Sequence, residues 1–180
     1  GNSSLDDDTN AQSNKKNKSV VDSKLNYTRL QDPIQSLNIT FPLNIEPGNI
    51  DMLTSVEEAF QRGSVQVKDA VGTQGLKNTM NYIDSRTAEN MKKGDFEYKE
   101  WVQKGEHANM FSIENIGKYS SKMKNVCECI QKSKGVVLVY SQYLDGGLIP
   151  MALALEEMGI TRHGSRSKSL FKKPPTKSIG

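Results

Sequence analysis

At 180 residues the chain is long enough for one domain, yet only 35% of it is apolar and 7% aromatic, low for a single packed core throughout. No apolar run approaches membrane-spanning length and no charged-then-apolar leader opens the chain, which predicts an intracellular protein with no membrane partner. The net charge of +3 hides an asymmetry, because six basic residues and no acidic one lie between Ile160 and Gly180.

Residues 1 to 24 carry only Leu5, Ala11, Val20 and Val21 as apolar side chains. Such a segment cannot bury enough surface to offset the entropy of ordering it, so a disordered leader is expected over 1–24. A mostly helical region is expected over 25–110. Within it Leu37, Ile39 and Phe41 alternate with polar residues up to Pro42, the period of a half-exposed strand. Thr54, three residues before Glu57, has the spacing of a capping box. Leu76, Met80, Ile83 and Thr87 predict a helix from about Gln74 toward Met91. Phe96, Tyr98, Trp101 and Val102 read as a short helix whose aromatics either stack bases or, the commoner use, anchor a small element to a core.

From residue 111 to 180 the pattern changes. Ser112 is a candidate N-cap for a helix whose apolar face is Ile116, Tyr119, Met123, Val126 and Ile130. Lys118, Lys122 and Lys124 read as solvated. Cys127 and Cys129 are two apart on this helix and so on different faces, which predicts free thiols in a reducing compartment; with His107 and His163 isolated, no metal spacing emerges.

Val136, Val137, Leu138 and Val139 follow as an unbroken apolar run, the habit of a strand covered on both faces in a parallel sheet. Asp145-Gly146-Gly147 makes a turn, and Leu148, Met151, Ala152, Leu155 and Met158 then recur at helical spacing as far as Gly159. A β-turn-α unit presents strand ends and helix N–H groups to anions. Ser141, Gln142, Gly146 and Gly147 are therefore the candidate site, although an ordinary turn uses glycines in the same way. Burying the four apolar residues contributes roughly 6 to 12 kcal/mol, against about 8 to 16 kcal/mol to order eight strand residues. The strand needs neighbours, and without them its edges stay open.

The run Gly117 to Lys122, the stretch GVVLVYSQYLDGGLIPMALALEEMG from Gly135 to Gly159, His163-Gly164, and Ser169 to Thr176 together resemble superfamily 2 helicases of large nucleocytoplasmic DNA viruses, relatives of Swi/Snf-type and poxviral transcription ATPases. The resemblance implies that Val137 to Gln142 is the fourth helicase motif, opening the second of two RecA-like domains. It implies an α/β fold with a partial RecA-like parallel sheet over 111–180, after an interdomain connector over 25–110. Ser141, Gln142 and the amides of Gly146 and Gly147 would then face the sugar-phosphate backbone of a DNA or RNA strand. The parent protein would use ATP and magnesium and act in the host cytoplasm or the virion.

The sequence has no G-x-x-x-x-G-K-[ST] loop, no DExx-type acidic pair and no late arginine motif, so no cofactor and no ATPase activity are expected of this chain. With Gly1 opening the chain and no closing element near Gly180, it reads as an internal fragment whose partners include the missing first RecA-like domain. The alternative is a non-catalytic α/β module whose basic tail binds nucleic acid or an acidic protein.

Overall fold

The computed structural model describes residues 30–44, 61, 63, 65–87, 90–164 and 168–175. The expected leader and the Thr54 capping box lie outside the described residues. The chain is mixed α/β. Residues 30–36 are helical, and the extended segment after them buries Ile39 and Phe41 while Leu37 stays exposed. The alternation anticipated there holds as burial at Ile39 and Phe41 but not at Leu37, and the expected strand is not formed. The segment bonds not to a strand but to the ends of two short 3-10 turns, through Thr40 N to Tyr119 O at 3.0 Å and Phe41 N to Ala70 O at 2.7 Å.

Helix α1 (Gly72–Thr79) passes directly into strand β1 (Met80–Thr87), which pairs antiparallel with β2 (Asn90–Tyr98). The helix expected to run on toward Met91 therefore stops at Thr79. Met80 and Tyr82 on β1 and Phe96 and Tyr98 on β2 turn to one side at a period of two, and the stacked rings of Tyr82 and Phe96, 4.8 Å apart, outweigh the weaker helical stripe. A bulge shifts the register between Asn81 and Ile83, and Asp95 takes up the extra residue at φ +53°.

Helix α2 (Glu100–Lys104) buries Val102, and the Trp101 indole N–H donates to Asn78 O at 3.2 Å. Trp101 is thus an anchor, the commoner of its two readings. Helix α3 (Ser121–Lys132) begins well after Ser112. Its N-cap is Ser120, whose hydroxyl accepts from Met123 N at 3.0 Å and donates to Asn38 O. Cys127 is buried beside Met151, whereas Cys129 is exposed, and both are free.

Helix α4 (Ile149–Glu157) follows a π-helical turn over Leu144–Leu148 and ends where Gly159 adopts φ +90°, a left-handed conformation that favours glycine. Pro150, Met151, Leu153, Ala154, Glu156 and Glu157 of α4 are all buried, which makes it the central helix of the core. The helix half of the anticipated β-turn-α unit is present.

The strand half is not. Residues 136–141 carry no regular structure, and Val136 and Leu138 are 102% and 91% exposed. The sheet among the described residues is β1 and β2 alone, joined by an isolated parallel bridge from Phe96 to Phe171, so the expected RecA-like parallel sheet is not formed. The physical reason is the one that makes the strand costly: among the described residues no neighbouring strand lies beside it to cover its side chains or pair its backbone. Among the described residues no helix is long and apolar enough to cross a membrane.

Candidate nucleic-acid interface at the Tyr140 to Leu148 turn

The turn is held by Asp145. Thr73, in the first turn of α1, donates its hydroxyl to Asp145 Oδ2 at 2.6 Å, and Lys93 of β2 forms an ion pair with Oδ1. The Asp145 and Lys93 side chains are 7% and 11% exposed. Lys93 Nζ also lies 3.9 Å from Asp84 Oδ2 and 5.4 Å from the Tyr82 ring centre. One buried carboxylate thus ties the turn to the hairpin and to α1.

The four predicted site residues fare differently around this anchor. A Cβ on Gly146 would stand 3.0 Å from the Gln35 amide oxygen and 3.3 Å from Gly72 Cα. A Cβ on Gly147 would run into the Ser141 hydroxyl and stand 3.1 Å from Ser141 Cβ. Both glycines are buried, and protein approaches them closely. Ser141 is half-buried, with its hydroxyl accepting from Tyr143 N at 3.1 Å and donating to Tyr143 O at 3.2 Å. Gln142 is exposed, beside Tyr140 at 86% exposure.

Gly147→Ala is accordingly expected to cost about 1–3 kcal/mol through the clash with Ser141, and adding Ser141→Gly should restore most of it. Denaturant midpoints of the single and double variants check this. Equal loss in both would mean that Ser141 is not what crowds the site.

Beside the turn a groove of about 100 Å³ runs between α3 and the turn, lined by Lys122, Val126, Val139, Tyr140, Ser141 and Leu148 among others. Lys122, expected to be merely solvated, sits here and donates to Asn38 Oδ1 at 2.8 Å. The groove therefore brings an exposed ring, a serine and an ammonium to one edge. Nothing in the sequence signals the Lys93–Asp145 pair, whose members are 52 positions apart. Lys122 could have been found by placing α3 alongside the turn.

The basic tail is not a loose arm over its described part. Glu156 of α4 accepts from Ser169 Oγ at 2.5 Å, Leu170 N at 2.8 Å and Phe171 N at 3.3 Å. Phe96 N donates to Leu170 O at 2.8 Å, and Lys172 N to Phe96 O at 2.9 Å. Lys172 also pairs with Glu97 at 2.9 Å, and this hydrogen-bonded cation holds the Glu97 carboxyl below its usual range. Arg162 and Lys168 are exposed; Arg166 and Lys177 lie outside the described residues.

A larger concavity of about 550 Å³ lies beside the tail, lined by Tyr98, Asn109, Ser112, Asn115, Glu157 and Phe171 among others. Tyr98 donates to Glu157 Oε1 at 2.9 Å. Burial, and then the Glu157 carboxylate, push the Tyr98 phenol well above the ordinary value of 10.0. A phenol raised on folding contributes stability that is complete below the unfolded value and is lost as pH rises past it. Stability should therefore decline above about pH 10, and Tyr98→Phe should flatten that decline, as read from denaturant midpoints along an alkaline series.

Among the described residues no group of three or more His, Cys, Asp or Glu is gathered to hold a metal ion. No known protein family, curated protein or solved structure matches this chain.

Proposed function

We propose that the chain is the strand-contacting part of an ATP-dependent superfamily 2 helicase or translocase, comprising the interdomain region and the start of a second RecA-like domain. It lacks the phosphate loop and acidic pair that would hold ATP and magnesium, and its own residues bind and orient rather than catalyse. The observation that carries this reading is the groove that the exposed Tyr140 and Lys122 line together, with the exposed Gln142 two residues beyond Tyr140 in the chain. An aromatic face beside a cation suits single-stranded nucleic acid, whose bases stack and whose phosphates need neutralising. The resemblance of Val137 to Gln142 to the fourth helicase motif supports the same reading.

Of the four residues first singled out, Gln142 is the best placed to reach a ligand. Ser141, Gly146 and Gly147 shape the turn that presents it. This covering of the glycines favours a second reading, a non-catalytic interaction module in which the turn is purely structural and an acidic partner replaces the nucleic acid.

Fluorescence anisotropy of a labelled single-stranded oligonucleotide across a salt series separates the two. Tyr140→Ala is expected to weaken binding about 5- to 100-fold, and Lys122→Gln to reduce the logarithmic salt slope by about 0.7. Gln142→Ala should weaken binding without changing the slope. Wild-type affinity and slope in all three would remove this edge from the site.

A further inference from the structure

We infer that the unpaired segment Val136 to Tyr140 docks an apolar β-strand from another polypeptide, one carrying carboxylates at the end that lies beside Lys132 and Lys134. Among the described residues, no backbone hydrogen bond joins the N–H and C=O groups of Val136 to Tyr140 to any partner. The segment is uncharged and its side chains alternate. Val136, Leu138 and Tyr140 are 102%, 91% and 86% exposed, while Val139 packs partly against the core. Consecutive unpaired backbone groups next to exposed β-branched side chains form a template for strand addition.

Charge selects the occupant. From Gln131 to Leu144 the sequence holds Lys132 and Lys134 and no acidic residue. Both lysines are exposed, and neither makes an ion pair among the described residues. The acidic residues nearest in sequence are engaged elsewhere, Asp145 with Lys93 and Glu128 with Lys124 at 4.0 Å. A second copy in parallel would set lysines against lysines. An antiparallel copy would set them against Gln142, Tyr143 and Leu144, which offer no carboxylate. A different strand with an acidic end satisfies both the backbone and the charge. This inference rests on the unpaired backbone and the two lysines rather than on the Lys122 groove, although both use the segment that ends at Tyr140.

The test uses the full 180-residue chain and synthetic peptides of alternating valine and threonine that end in two glutamates or in two lysines. The readout is amide hydrogen exchange at Val136 to Val139. The glutamate peptide should slow exchange there about fivefold more than the lysine peptide at equal concentration. The double variant Lys132→Glu, Lys134→Glu should reverse that preference. Leu138→Pro should abolish the slowing by either peptide while leaving protection in α3 and α4 intact, because it removes a donor from an exposed position. Glutamates at one or the other peptide end report whether the added strand is parallel or antiparallel. Three results would overturn the inference: no slowing with any peptide, equal slowing by both, or slowing that grows with protein concentration when no peptide is present.

Discussion

Asp145→Ala is expected to lower the stability of the chain by about 3–5 kcal/mol. The carboxylate is buried between two donors, the Thr73 hydroxyl and the Lys93 ammonium, and removing it takes away the nearer of the two carboxylates that ammonium faces among the described residues, leaving Asp84 at 3.9 Å. The loss should be unlike that of a surface pair, because at 7% and 11% exposure neither side chain is screened by water. Replacing both partners with apolar residues, Asp145→Leu with Lys93→Met, should recover most of the loss, since the cost arises from the orphaned charge. Urea denaturation of the two singles and the double measures this coupling. A single-variant loss below about 1 kcal/mol would place the pair in the range of exposed ion pairs. The functional consequence is local as well, because Asp145 sets the turn that carries Tyr140 and Gln142 beside the groove.

Glu156→Ala is expected to cost about 2–4 kcal/mol and to free the tail from β2. Glu156 is 8% exposed and satisfies Ser169 Oγ and the amides of Leu170 and Phe171. Without it these amides must either stay buried without a partner or swing out to water, taking Leu170 and Phe171 from the core. Detachment of the tail limits the loss, so the sharper readout is exchange at the Leu170, Phe171 and Phe96 amides, which should accelerate far more than that of α3. Unchanged exchange at these three would show that the strand contact to Phe96 holds the tail unaided.

What the sequence made legible follows from how local each signal is. Helix α4 was readable because its apolar spacing, its turn and its closing Gly159 all lie within one continuous stretch. The burial of Ile39 and Phe41 was readable from alternation alone. The hairpin was misjudged because Leu76, Met80, Ile83 and Thr87 fall at helical spacing, while the deciding contact, Tyr82 on Phe96, joins two strands. The start of α3 was misplaced because Ser112 and Ser120 both precede apolar residues, and what selects Ser120 is its bond to the remote Asn38. The unbroken apolar run of Val136 to Val139 was read as a strand covered by partners, which the described residues do not supply. Whether they were at hand depended on the rest of the chain. At the site, the glycines were recognised as places of close approach, but what approaches them is Gln35, Gly72 and Ser141, contacts that no local pattern encodes.

The most direct measurement of the nucleic-acid reading is an NMR titration of the chain with a short single-stranded oligonucleotide, following backbone amides at low and then at high salt. The expected result is a shift centred on Tyr140 and Gln142 and reaching Lys122, which fades as salt is added. Shifts confined to Lys172 and Lys173 of the tail, or none along the Tyr140 edge, would contradict it.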